Sequence, residues 1–503
     1  MAIKIVLLLV FFAVMMGIGV YTRKHATDVN GFVLGGRSVG PWLTAFAYGT
    51  SYFSAVVFVG YAGQFGYKYG IASTWIGIGN ALLGSLLAWV VLGRRTRIMT
   101  KHFHSMTMPD FFGKRYNSQS LRIVSSVIAF VFLIPYTASV YNGLSYLFGM
   151  AFDIDFRICV VVMALLTGVY VIIGGYMATA LNDLIQGIIM LFGIVAVIAA
   201  VLSGHGGFME AVKQLAGIES GVMPGAYASF FGSDPANLFG VVILTSLGTW
   251  GLPQMIQKFY AIKDEKAVHI GTIISTLFAV VVSGGCYFLG GFSRLSGVMP
   301  VDGVVAYDTI IPTMLSDLPD ILIGIVIVLV LSASMSTLSS LVLTSSSTLT
   351  LDFVKPVFAK DMDDKKQLIW MRIFLAGFIL LSVMIALDPP GFIAQLMGIS
   401  WGALAGAFLA PFLYGLYWKG VTKAAVWASF VCGVGITVSN MFIKYIASPI
   451  NAGAIAMVAG LIVVPVVSLV TPKMERGAVE EIFSCYDEKV VVEQKLALPE
   501  DEE

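Results

Sequence analysis

Apolar stretches long enough to cross a lipid bilayer recur from one end of this chain to the other, and they limit what it can fold into more than any other feature. A helix needs about twenty apolar residues to span hydrocarbon. In that solvent every backbone N–H and C=O must be paired within the chain, which favours helices over open structure. Of the 503 residues, 58% are hydrophobic and 12% charged, more apolar surface than a soluble core could hide. The expected class is an all-α polytopic membrane protein. Thirteen spans are expected, at about 3–21, 41–66, 71–93, 121–149, 157–176, 183–203, 238–257, 268–293, 320–350, 370–387, 391–418, 424–444 and 451–471. The first run is read as a helix rather than a signal peptide, because Arg23 and Lys24 follow it instead of preceding it.

Basic residues set the orientation. With the N-terminus outside, 24 of the 30 Lys and Arg fall in cytoplasmic segments, Lys258 among them. Six stay outside: Lys4, Lys68, Arg157, Lys213, Arg294 and Lys444. That bias predicts an N-terminus outside and a C-terminus in the cytoplasm. The tail 473–503 reads as disordered. A net charge of +1 argues against a nucleic-acid partner. The four cysteines are far apart, which suggests neither a disulfide framework nor a zinc site. The spans hold no close His pair, Cys–His pair or carboxylate dyad, so an enzyme is not expected.

Two spans carry breaks. Gly49, Thr50 and Ser51 interrupt the second, and Gly248, Gly251 and Pro253 interrupt the seventh. Glycine adds backbone freedom and proline removes a donor, so both places can unwind. Five spans separate them, so spans two to six and seven to eleven would be repeats of opposite topology. Paired breaks of this kind point to a transporter's midplane site. Membrane helices also tolerate Gly and Pro without any such role.

The ninth span holds "LSASMSTLSS", residues 331–340, with six hydroxyls in ten residues. Ser332, Ser336, Ser339 and Ser340 share one helical face, with Ala333 and Thr337 beside them. Hydroxyls cost free energy in hydrocarbon unless they are bonded. Together with carbonyls freed by a broken helix they suit sodium, a hard cation. The same spacing is also a small-residue packing stripe. The run 344–350, "TSSSTLT", reads as interfacial polarity. Asp183 opens an otherwise uncharged helix, which fits either an intramembrane functional carboxylate or a helix N-cap.

Several motifs in order, "GFVLGGRSVGPWLTA", "MTMPDFFGKRY", "IIGGYMATALNDLIQG", "GLPQ", "DEKAVHIG" and "LSASMSTLSS", carry a family pattern over about residues 30 to 440. The chain resembles the sodium/solute symporter family, most closely its bacterial sodium/proline and sodium/pantothenate branches. The resemblance implies a leucine-transporter-like core of ten helices in two inverted five-helix repeats, with one helix before and two after. The implied organisation is one transporter domain, 1–472: an extra helix 3–21, repeat one about 41–203, repeat two about 238–418 and C-terminal helices about 424–471. It also implies a sodium site formed by carbonyls of Thr50, Phe53 and Ala333 and hydroxyls of Ser336 and Thr337. A second sodium, as in members resembling the sodium/sialic acid transporter, would take Asp183, Ser336, Ser339 and Ser340.

The substrate would lie among Val56, Gly60, Gln64, Tyr136, Thr245, Thr249, Trp250 and Pro253. Tyr136, Pro253 and Gly60 match the proline branch. Two bulky tryptophans of that branch fall on Val56 and Thr245, and Trp250 is the candidate to refill the gap. The expected function is sodium-coupled import of a small polar nutrient across the cell membrane, proline or a related amino acid first. Pantothenate or another monocarboxylate is the alternative, and a passive sodium channel is the more distant one.

Overall fold

The computed structural model describes residues 2–298, 300 and 305–487. Regular structure among them is helical, apart from a single bridge between Val39 and Ile262. Among the described residues, ten helices are long and apolar enough to cross a membrane, or eleven if the bent pair Pro235–Trp250 and Pro253–Ala261 is one span. Two of the ten are far longer than a bilayer requires: Val56–His102 has 47 residues and Phe156–Gly204 has 49. Each contains a glycine with positive φ, Gly70 at 62° and Gly175 at 55°, a conformation that side chains with a Cβ resist.

The first break is not where the glycine-rich triplet suggests. Helix Pro41–Tyr52 runs straight through Gly49, Thr50 and Ser51. The chain becomes extended at Phe53 (φ −102°, ψ 130°), and helix resumes with Val56–Tyr61 and Ala62–Tyr69. Gly49 serves packing instead, since a Cβ there would meet the Phe278 ring at 2.5 Å. The second break falls at the expected place. A tight turn, Gly248–Trp250, leads to extended Leu252, and Pro253 opens helix Pro253–Ala261 at a bend of 41°. Proline at a first helical position lacks an N–H that would be orphaned anyway.

Elsewhere helices meet backbone to backbone. A Cβ on Gly66 would lie 1.8 Å from the Gly290 carbonyl oxygen, and one on Gly433 would lie 2.2 Å from the Gly406 carbonyl carbon. In lipid, where no hydrophobic force draws helices together, such close approach gains the dispersion contacts that do.

The two ends of the bundle are tied separately. At one end Lys263 N–H donates to the Val39 carbonyl (3.0 Å), Arg97 reaches the Ile262 carbonyl, and Arg115 Nε donates to the Gly415 carbonyl (2.8 Å). There too Arg122 pairs with Asp352 at 2.7 Å. At the other end Lys4 pairs with Asp320 (2.9 Å), and Arg294 Nε donates to the Tyr67 carbonyl (2.7 Å).

The tail departs from its expected disorder. Residues Arg476–Ser484 form a helix whose Val479 and Phe483 are buried. The Arg115 guanidinium lies 5.0 Å from the Phe483 ring centre, and the Tyr486 hydroxyl donates to the Leu416 carbonyl (3.2 Å). Low average hydrophobicity hid one apolar stripe, which is enough to dock a short helix. The last stretch of the tail, 488–503, lies outside the described residues.

Candidate functional site

The hydroxyls of helix Asp320–Thr348 meet the unwound backbone of the first broken helix. Thr337 Oγ1 lies 2.8 Å from the Phe53 carbonyl oxygen, 3.0 Å from that of Ala333 and 3.3 Å from that of Thr50. Ser336 Oγ lies 3.0 Å from the carbonyl oxygens of Thr50 and Ala333. The five groups expected at the first sodium site therefore converge: three carbonyls and two hydroxyls, all from buried residues. The extended residue at Phe53 ends the helical ladder and leaves the Thr50 and Phe53 carbonyls open to the neighbour, while the Ala333 carbonyl lies one turn back on the helix of Ser336 and Thr337. Sequence reasoning missed Ser334, whose Oγ accepts the Ala55 N–H at 3.0 Å and so pins the far side of the break. Its offset from the Ser332–Ser336–Ser340 stripe concealed it.

The second expected set is arranged differently. Asp183 is no N-cap: helix runs on from the Gly175 kink, so it sits about two turns inside, fully buried. Ser339 Oγ donates back to the Ser336 carbonyl (2.9 Å). Ser340 Oγ lies 2.7 Å from Ser51 Oγ. Between Asp183 and Ser340 stands a residue that charge counting assigned to a cytoplasmic loop. Lys258, on the second half of the second broken helix, is buried; its ammonium donates to Ser340 Oγ at 2.9 Å and lies 3.9 Å from Asp183 Oδ2. The run 344–350 is likewise interior: Thr344 Oγ1 donates to Gln257 at 2.6 Å, and its other hydroxyls are buried.

The substrate candidates divide. Tyr136 is fully buried against Trp401, ring centres 5.8 Å apart and nearly perpendicular. Trp401 also stacks on Tyr52 at 5.9 Å, and the Tyr52 hydroxyl donates to the Thr245 carbonyl at 2.9 Å. The Tyr136 hydroxyl and the Trp401 indole N–H are buried side by side, with Ser54 next to the hydroxyl, and neither makes a well-aligned hydrogen bond among the described residues. Unpaired buried polar atoms are rare in native folds, and these two suit a polar ligand. Trp250 does not refill the gap beside Val56 and Thr245. Its indole N–H donates to the Leu83 carbonyl (2.9 Å), while Thr249 Oγ1 donates to the neighbouring Gly84 carbonyl (3.1 Å). Both side chains are thus directed at the helix holding Leu83 and Gly84, and Trp401 supplies the aromatic bulk. Val56, Gly60 and Gln64 line the resumed helix after the first break, all buried, and a Cβ on Gly60 would meet Ile393 at 2.8 Å. Pro253 opens the half-helix that carries Lys258. Trp401 lies on helix Ile393–Tyr417, and no local motif marked it.

A family model, "Sodium:solute symporter family", matches residues 32–433. The chain belongs to the sodium:solute symporter family. Membership makes it a transporter with sodium as the coupling ion. Among its relatives, the sodium/proline symporter of Staphylococcus aureus is 30% identical over 491 residues, 94% of this chain and 92% of the relative. The osmoregulated proline transporter of Bacillus subtilis is 27% identical over 476 residues, 92% of this chain and 95% of the relative. In fold the symporter resembles a sodium-coupled sialic acid symporter, with a TM-score of 0.78 at 15% identity, covering 94% of this chain and 98% of the other. It also resembles Mhp1, a nucleobase-cation symporter, with a TM-score of 0.54 at 13% identity over 90% and 97% of the two chains.

Proposed function

We infer that this symporter couples proline uptake to sodium bound by the carbonyls of Thr50, Phe53 and Ala333 and the hydroxyls of Ser336 and Thr337. The observation that carries the reading is the position of Thr337 Oγ1 within 3.3 Å of all three carbonyl oxygens. Such a cluster offers a hard cation five neutral oxygens at the junction of a broken helix and its neighbour. Proline follows from the two relatives above and from Tyr136, whose hydroxyl, beside Ser54 and the Trp401 indole, lies in a compact aromatic wall suited to a small ring. A carboxylate substrate would be held by helix-end N–H groups and by the sodium itself.

Bound sodium would hold helix Pro41–Tyr52 against Asp320–Thr348 and complete the pocket from the outside. Its loss to the cytoplasm would loosen both. One charge moved through 100 mV is worth about 2.3 kcal/mol. A tenfold sodium gradient adds about 1.4 kcal/mol, so one ion can concentrate a neutral substrate several hundredfold.

The domain is read as 1–472, with repeats at about 41–203 and 238–418 and thirteen crossings in all. The glycine interruptions at Gly70 and Gly175 support counting each of the two longest helices as two crossings. An N-terminus outside and a C-terminus in the cytoplasm are supported by the two tied ends. Arg97, Arg115 and Arg122 gather at the end that receives the tail helix, and Lys4 lies at the other.

Uptake of radiolabelled proline into proteoliposomes under an imposed sodium gradient tests the reading. Accumulation that collapses when choline replaces sodium supports it. Equal uptake in both ions would refute the sodium site, and no proline uptake beside uptake of another solute would refute the substrate.

A further inference from the structure

Among the described residues, Lys258 is the basic side chain that the fold carries from the expected cytoplasmic set to the Asp183–Ser340 cluster. It reaches there on helix Pro253–Ala261, the half-helix that follows the second break. Three elements surround its ammonium. Asp183 approaches to 3.9 Å from the helix beyond Gly175, Ser340 accepts a hydrogen bond at 2.9 Å, and the Tyr176 ring centre lies 5.2 Å away. Ser340 in turn touches Ser51 at 2.7 Å, one residue from the Thr50 carbonyl of the first sodium site. A carboxylate, a serine hydroxyl and a ring face are what a monovalent cation needs when it leaves water.

We propose that the Lys258 ammonium is the resident cation of the Asp183–Ser340 site, taking the place of a second sodium and holding this symporter to one sodium per cycle. The inference rests on reading the first sodium at Thr337. A sodium added beside Asp183 would share a single carboxylate with an ammonium less than 4 Å away, two positive charges against one negative in a buried site. The tethered charge does the structural work of an ion without dissociating. It joins the second broken helix to Asp183 and, through Ser340 and Ser51, to the first broken helix. It cannot be released to the cytoplasm, so it adds nothing to the coupling exponent. Of the serines that suggest a second ion in the sequence, Ser340 is here the partner of a lysine.

Equilibrium binding of radiosodium to the purified full-length protein counts ions directly. Lys258→Met keeps the aliphatic stem and removes the charge, so it should bind one more sodium per protein than the unaltered chain. Lys258→Met combined with Asp183→Asn should lose that extra ion, and Lys258→Arg should show no gain. No difference between Lys258→Met and the unaltered chain overturns the proposal, as does a gain that survives the loss of Asp183. Should Lys258→Met fail to fold, Asp183→Asn alone decides: an unchanged ion count supports the proposal, and loss of one ion overturns it. The difference between variants tests Lys258. The absolute count in the unaltered chain, and its loss in Thr337→Val, tests the sodium-symport reading separately.

Discussion

The side-chain oxygen of Thr337 lies 2.8 Å from the backbone oxygen of Phe53, the extended residue at the first break, 284 positions away in sequence. Through this contact the broken helix Pro41–Tyr52 and the helix Asp320–Thr348 become one structure. Removing the hydroxyl while keeping the shape, as in Thr337→Val, should raise the sodium concentration for half-maximal uptake at least tenfold. A lost hydrogen bond of about 1.5 kcal/mol sets that scale. Thr337→Ser should stay near the unaltered value. Sodium titration of initial uptake rates distinguishes the two.

Tyr136 makes its case through the substrate. Tyr136→Phe keeps the edge-on packing against Trp401 and removes only the hydroxyl, which has no well-aligned hydrogen bond. The melting temperature should hardly change, while KM for the transported solute rises about tenfold, the cost of one hydrogen bond. An unchanged KM would make Tyr136 a packing residue.

Arg122 and Asp352 couple the start of helix Gln119–Phe152 to the segment Leu349–Val354 that follows the serine-rich helix. Arg122 Nε donates to the fully buried Asp352 at 2.7 Å, Thr107 Oγ1 donates to the other oxygen at 2.5 Å, and Arg122 also reaches Asp110 at 3.2 Å. Arg122→Ala leaves a buried carboxylate without its cation and should cost about 3 kcal/mol. Arg122→Ala with Asp352→Asn should recover much of that loss. Thermal unfolding of the single and double variants completes the cycle.

Asp308 gives a pH dependence. Its carboxylate accepts the Ile393 N–H at 3.2 Å at the mouth of helix Ile393–Tyr417, and burial pushes its pKa from the ordinary 3.8 up to about 6. The folded state therefore holds its proton more tightly than the unfolded chain. Its contribution to stability is greatest below about pH 4, falls as pH rises toward 6 and is flat above. Relative to the unaltered chain, Asp308→Asn should gain stability from pH 4 to pH 8, by up to about 3 kcal/mol. Paired melting curves across that range read the difference.

Phe483 anchors the tail helix under Arg115 and is 6% exposed. Phe483→Ala should destabilise by about 3 kcal/mol, the usual cost of emptying a buried aromatic site. Substitution at exposed Glu480 should be close to neutral. Limited proteolysis should cut the Phe483→Ala tail first.

Much of the architecture was legible along the chain because hydrocarbon enforces it locally. Each span must be apolar over its own length and satisfy its own backbone, so the helices, the break at Gly248–Pro253 and the hydroxyl face of residues 331–340 could all be read in place. The first break was misplaced because a glycine that admits a neighbour's ring resembles one that unwinds a helix. Gly49 meets Phe278, a residue no local window contains. Trp401, Ser334 and Lys258 were missed for the same reason. Each acquires its role from a contact between helices far apart in sequence. Lys258 near the end of a broken helix resembles any loop lysine until Asp183 and Ser340 are brought to it. Local composition therefore settled the membrane class, the all-helical fold and the oxygen-rich face. The assembled bundle settled which charges enter the low-dielectric interior, since only packing can bring a buried cation and its carboxylate together and so offset the cost of removing them from water.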